Sequence, residues 1–257
     1  MLLRQIVLYP IKSLDGVVVQ EARMTAGGIL EFDRIYAILD GEGKVVNGKR
    51  TPRVHMLRTQ FDPTFREVCL WQTGDSTRHH FSIEEPSALN KWLSDYFEFP
   101  VALACETRSG FPDDRTAYGP TITSEASLDA VTQWFPEMTM QSARRRFRSN
   151  LEIGDVPPFW EDHLFGAAGE LKPFQIGQVH FLGHNPCQRC VVPTRDPDRS
   201  DPIPNFQKSF MELRRKNLPD WSNAERFNHY YRFAINTSVA PSEAGKCLRV
   251  GDPIMVN

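Results

Sequence analysis

The 257 residues carry 30 Lys plus Arg against 32 Asp plus Glu, a formal net charge of −2, so the chain lacks the global basic field that holds nucleic acid through its phosphates. No apolar run approaches the length that spans a bilayer, and Met1-Leu2-Leu3-Arg4-Gln5 opens directly into strand-like sequence, so no membrane partner and a cytoplasmic location are expected. Five cysteines, an odd number without an export signal, point to reduced thiols.

Residues 2–8, 17–24 and 34–39 are rich in β-branched and apolar side chains between turn residues, which predicts strands. Asp40-Gly41-Glu42-Gly43 supplies a hairpin turn before Val45 and Val46; it lacks the third glycine and the following helix of a dinucleotide loop. Further strands are predicted at 55–61, 67–71, 79–83 and 101–104. Leu89, Trp92, Leu93, Tyr96 and Phe97 recur at spacings of three and four, predicting a helix over 86–97 with those side chains in the core. Residues 106–120, with Gly110, Pro112 and Gly119, have no periodicity and read as a linker between two modules, 1–115 and 116–257.

Thr123 or Ser124 caps a second helix that ends at Pro136. The run Arg144-Arg145-Arg146-Phe147-Arg148 is the densest positive charge and reads as a surface strand end leading into Leu151-Glu152-Ile153. Strand-like sequence continues at 159–162, 174–177 and 179–181, a helix is predicted within 202–218, and strands at 230–239 and 247–256 close the chain. The expected class is mainly β with several helices, α+β.

The stretch HNPCQRCVVPTRDPD, residues 184–198, holds Cys187 and Cys190 with Arg189 between them. An adjacent guanidinium favours a thiolate, the form that binds metal or attacks. Pro186 and Pro193 disfavour a helix through the pair, so the cysteines belong on a strand end or loop, unlike a thioredoxin-type motif. With period-two alternation on an extended strand, their side chains would point to opposite faces.

NPCQRCVVPTRDPD, together with the upstream RFRSNLEI, resembles the core of a MOSC domain, the molybdenum-cofactor sulfurase C-terminal module. YPIKSLDG and GGILEFDRIYAILDGEGK likewise resemble the β-barrel module that precedes MOSC in the amidoxime-reducing component family and its bacterial relatives. The resemblance implies an N-terminal β-barrel module followed by a MOSC β-barrel domain that binds molybdenum cofactor (molybdopterin); pyridoxal phosphate is not expected. It implies a reductase of N-hydroxylated compounds, with Cys190 as metal ligand and catalytic centre. Lys12 and Ser13 match the family's YPxKS motif and carry over as cofactor contacts, as does Arg34 in FDRIY. Arg148 and Asn150 in RFRSN match its RFRPN, with Ser149 replacing the proline; Arg189 is added as a cation beside the thiols. Asp196 and Asp198 match its TVDPD and are expected in supporting turn roles. Ser124, at a helix start, could bind an anion or simply cap the helix. Lys12 and Arg34 must face the same cleft as Cys190 if all three serve one cofactor.

Alternatives remain open. Cys190 could accept and pass on a persulfide as a sulfur carrier, or the protein could bind cofactor without turnover. His180, His184, Cys187 and Cys190 could hold structural zinc, although a strand through 180–181 limits their convergence. A reductase also needs a small N-oxygenated substrate and electrons. Cys69, Cys105 and Cys247 stand alone and no dinucleotide fingerprint is present, so a separate redox protein is expected as donor.

Overall fold

Leu2–Leu8 (β1) forms where its apolar pattern predicts a strand and buries Leu3, Ile6, Val7 and Leu8. This computed structural model describes residues 1–114 and 116–256. The predicted strand 17–24 is two short ones, Val17–Val19 (β2) and Glu21–Arg23 (β3), because the chain leaves the β1 sheet at Gln20 to join another. Tyr36–Asp40 (β4), Leu57–Phe61 (β5), Glu67–Gln72 (β6) and His79–Ser82 (β7) follow. Residues 52–56, the last two of which are expected in a strand, form a tight 3-10 turn whose first position is Pro52, a residue suited to a helix start. Ser87–Phe97 (α1) buries Leu89, Leu93 and Phe97, each contributing ~1.5–3 kcal/mol by leaving water. Glu98 stops it in a left-handed conformation (φ 66°), and Val101–Cys105 (β8) returns antiparallel to β4. These elements enclose a core centred on Ile38, Leu57, Val68, Leu70 and Leu93.

The second half runs Ile122–Ser124 (β9), Glu125–Trp134 (α2), Met140–Phe147 (α3), Leu151–Gly154 (β10), Lys172–Ile176 (β11), Val179–Gln188 (β12), Phe206–Lys216 (α4), Arg232–Ser238 (β13), Cys247–Arg249 (β14) and Ile254–Val256 (β15). The main sheet has eight strands in the order β15-β11-β12-β13-β9-β10-β1-β2. It therefore crosses the sequence midpoint: β1 pairs with β10, Ile6 opposite Leu151, and β3 pairs with β14. A cut at residue 115 would separate β1 from its partner. With fifteen strands and four α-helices among the described residues, the class is α+β as the sequence implies. No helix among them is long and apolar enough to cross a membrane.

Three local expectations fail. The arginine run is the last turn of α3, where Ala143, Arg146 and Phe147 form the buried face. Arginine stems can cover apolar surface, so a helix with few apolar letters hides from a hydrophobic pattern. Residues 160–164 form a 3-10 turn, in which Glu161 and Asp162 are both buried. The last stretch is two strands separated by a turn at 250–253, not one.

Asp162 accepts from Arg214 of α4 and from the Ser222 hydroxyl, and Arg214 also lies 3.9 Å from the Phe159 ring centroid. Both charges are almost wholly buried, at 2% and 3% side-chain exposure. Removing one partner leaves the other charged and unpaired in a low dielectric. Replacing Arg214 with Met should therefore lower stability in urea denaturation by about 3–5 kcal/mol. The double variant Arg214→Met with Asp162→Asn should recover part of that loss; equal losses in single and double variants would show that the pair is not coupled.

Candidate active site

Both halves of the chain line one cleft of about 380 Å³. Eight lysine and arginine side chains and four aspartates face it among the described residues. Lys12, Ser13, Arg34, Arg148, Arg189 and Cys190 all lie along it, so residues more than 150 positions apart share one wall system.

Lys12 and Ser13 sit on the turn after β1, with Ser13 at φ 75°. The Lys12 ammonium donates to the carbonyls of Phe111 (2.9 Å) and Pro112 (3.0 Å) and pairs with Asp113 at 2.8 Å. It thereby ties the linker to the cleft wall. Arg34 is fixed by Asp33 (2.6 Å), the Asn150 amide oxygen (3.0 Å) and the Arg148 carbonyl (3.4 Å). Burial opposes its charge, but Asp33 and Asp113 more than restore it and raise its pKa.

Arg148 caps α3 in a left-handed conformation (φ 53°), which turns the chain sharply toward β10. Its guanidinium lies 4.1 Å from the Tyr9 ring centroid, and Arg34 lies 5.0 Å from the same ring. Burial lowers the Arg148 pKa, and its Nη2 is buried without a hydrogen-bond partner. The Tyr9 hydroxyl donates to the Ser149 carbonyl at 3.2 Å, and burial pushes its pKa up to about 12.

Cys187 is the penultimate residue of β12, and Cys190 lies two positions beyond its end, a strand end as expected. The β12–β13 register shifts between Pro186 and Gln188. The extended segment ends at Gln188, so Cys190 lies outside the strand in which period-two alternation holds, and both thiols line the same cleft instead of pointing to opposite faces. Arg189 donates to the Cys187 sulfur (3.3 Å) and the Phe147 carbonyl (2.6 Å), while its Nε is buried without a partner. The Val192 N–H points at the Cys190 sulfur from 3.4 Å.

Two predicted contacts lie away from the cleft surface. Ser124 is fully buried; its hydroxyl accepts from the Ser127 N–H at 3.1 Å as an ordinary helix cap. Asn150 is also fully buried and works behind the wall, donating to Val7 O (3.0 Å) and Asp33 (2.9 Å) while accepting from Arg34. The zinc set does not converge: His184 meets Ser238 at 2.7 Å and His180 meets Glu243 at 3.3 Å. No group of three His, Cys, Asp or Glu among the described residues could hold a metal ion. Asp196 accepts from the N–H groups of Asp198 and Arg199, and Asp198 pairs with Arg145 at 2.7 Å, the supporting roles expected of the acidic turn.

Sequence reading missed Lys49, His55 and Arg58, which also face the cleft, because no motif marks them. His55 packs so closely on Gly48 that a Cβ there would lie 2.5 Å from its Nε2, a ring nitrogen buried without a partner. Burial, then the nearby Arg195 charge, lowers the His55 pKa from 6.5 to about 4. The folded state thus resists protonation that the unfolded chain accepts. Its contribution to stability is intact above pH 6.5 and is lost as the pH falls from 6.5 toward 4. NMR should show a neutral His55 ring at pH 5, and His55→Gln should flatten this part of the stability–pH curve; a ring titrating near pH 6.5 would contradict the burial argument.

Two family models match the chain: the MOSC N-terminal beta barrel domain over residues 1–88 and the MOSC domain over residues 113–255. Mitochondrial amidoxime-reducing component 1 of Homo sapiens is 24% identical across 97% of this chain and 81% of its own length. Mitochondrial amidoxime reducing component 2 of the same species is 24% identical across 96% and 81%. Molybdenum cofactor sulfurase of Oryza sativa subsp. japonica is 22% identical across 74% of this chain and 28% of its own length. Because the MOSC model spans more than half of the residues, the cysteine-bearing sheet included, this chain belongs to the MOSC domain family and carries the family's N-terminal barrel module ahead of that domain.

Proposed function

We propose that the cleft binds molybdenum cofactor and that the protein reduces N-hydroxylated compounds, with the Cys190 thiolate as protein ligand to molybdenum. The observation that carries this reading is the pairing of thiols with buried guanidinium N–H groups that lack partners, Arg148 Nη2 and Arg189 Nε. A buried unsatisfied donor costs about 1–3 kcal/mol, which an incoming oxyanion would recover. The donor set suits the group: soft sulfur for the metal, and guanidinium, ammonium and hydroxyl donors for a dianionic phosphate tail. The names of the amidoxime-reducing relatives support the same reaction.

When bound, the cofactor supplies a metal that changes oxidation state by two electrons, which is what removal of an oxygen atom requires. Everything else falls to the chain. Cys190 fixes and tunes the metal, Arg148 and Arg189 anchor anionic oxygens, and Arg34 supports that charge from a pose set by Asn150. Lys12 and Ser13 close the barrel side. A separate redox protein supplies the electrons in this reading.

Sulfur transfer is the second reading, and one observation favours it: Cys187 shares the cleft with Cys190, so two thiols are available to one ligand. The cysteine variants separate the two. Cys190→Ser exchanges a soft ligand for a hard, protonated hydroxyl and should lower amidoxime reduction by about 100-fold or more, while Cys187→Ser should cost about tenfold at most. Phosphate contacts should let both variants retain pterin in the released-cofactor fluorescence assay. If Cys187→Ser alone is inactive, the ligand is Cys187; persulfide found on either cysteine without any amidoxime turnover would replace the reductase reading.

The electron source is tested directly. Pure protein given NADH should show no turnover, and reduced viologen should start it. Turnover with NADH alone would place a nicotinamide or flavin site within the chain.

A further inference from the structure

The cleft continues outward into a more open hollow of about 550 Å³, which shares the cysteine loop, Lys49, Asp113, Asp114 and Asn236 with it and adds Asn185, Arg226 and Arg232. Every described residue lining it is charged, carries an amide or is a cysteine; none is aliphatic or aromatic. Four are cations, Lys49, Arg189, Arg226 and Arg232, against two acids, Asp113 and Asp114.

The arginines are held by neutral acceptors. Arg226 donates to the carbonyls of Gly166 (2.6 Å), Ala167 (2.8 Å) and His184 (3.0 Å). Arg232 donates to the Pro186 carbonyl and the Asn228 amide oxygen, both at 2.7 Å, and its Nε is buried without a partner. Arg189 spans the Phe147 carbonyl and the Cys187 sulfur. None of the three pairs with a carboxylate among the described residues, and Lys49 makes no side-chain contact of that kind either. Asp113 is already committed to Lys12 at 2.8 Å; among the described residues Asp114 accepts only from Thr116 and, at 3.4 Å, from the Asn236 amide and keeps its charge, which the four cations outnumber.

Carbonyls orient a guanidinium without cancelling its charge. The hollow is therefore a fixed positive concavity beside the thiols, with no apolar wall for an aryl group. We infer that this vestibule receives a small polar ligand bearing a carboxylate or phosphate, held by Arg226, Arg232 and Lys49. Under the reductase reading, on which the assignment of this ligand as substrate rests, the substrate class is an anionic N-hydroxylated compound.

The test compares acetamidoxime with the same amidoxime carrying a carboxylate on its methyl carbon. Binding is measured by calorimetry on the purified protein before and after cofactor loading, and turnover with reduced viologen. The carboxylate form should bind about tenfold or more tightly, and should keep that advantage after loading, since Arg226 and Arg232 line the hollow and not the cleft. Arg232→Gln and Lys49→Gln should each reduce the preference at least ~3-fold, through KM more than kcat, with Arg232→Lys restoring part of it. The Lys49 ammonium makes no hydrogen bond or ion pair among the described residues, so its variant remains informative if Arg232→Gln fails to fold. Inorganic phosphate should compete with the carboxylate form.

Equal binding of the two compounds, or a preference that disappears on loading, would overturn the vestibule assignment. So would variants that weaken both compounds equally. Reduction of both without preference would leave the reductase reading standing and remove this one. A preference that persists in a protein reducing neither compound would do the reverse, removing the reductase reading and retaining the anion site.

Discussion

The buried carboxamide of Asn150 joins segments that the sequence separates by more than a hundred residues. Its NH2 group donates to Val7 O in β1 and to Asp33, and its oxygen accepts from Arg34 at 3.0 Å and the Thr121 N–H at 3.2 Å. Asp33 in turn accepts the Tyr9 N–H at 2.8 Å and the Arg34 guanidinium. One fully buried amide thus fixes the start of the barrel half, the edge of β10 and a cleft arginine together. Polar networks of this kind specify a single arrangement because each buried member left unmatched is costly.

That junction explains why the cleft is an intramolecular feature and not a seam between beads. β1 belongs to the main sheet by pairing with β10, and the turn that follows it delivers Lys12 and Ser13. Arg58 adds a rivet on the far side, pairing with Asp15 at 2.7 Å and donating to the Pro197 carbonyl of the acidic turn. The cysteine loop is therefore buttressed by the half of the chain that precedes the linker.

Strong local signals made much of this legible. β1 and α1 were readable because period-two and period-3.6 apolar patterns coincide with turn residues at their ends. The α3 helix was not, since its buried face uses Arg146, which donates to the Pro193 carbonyl and pairs with Asp196 across the chain. The cleft residues Lys12, Arg34 and Arg148 were reached through a family motif; each alone resembles an ordinary surface cation. His55 and Arg232 were invisible because their roles depend on which distant carbonyls and rings surround them. The two-thiol geometry turned on where β12 stops, at Gln188 between the two cysteines, a boundary set by pairing with β13 that a single strand's sequence does not encode.

Charge compensation divides the cleft and its outer hollow into two electrostatic zones. Lys12, Arg34, Arg58, Arg145 and Arg146 each meet an aspartate, at 2.6–3.4 Å. Such pairs are neutral as units, and their attraction is already used in holding the chain together. Arg148, Arg189, Arg226 and Arg232 instead meet only rings, carbonyls, amide oxygens or sulfur among the described residues. Their desolvation has been incurred in folding without a matching countercharge, so the folded protein carries a local excess of positive potential. A ligand that brings negative charge to these four is stabilised by interactions the fold has prepared and not spent. The excess follows the thiol loop, from Arg148 at the end of α3 to Arg232 at the start of β13, and so places positive charge without a carboxylate partner on both sides of the two cysteines.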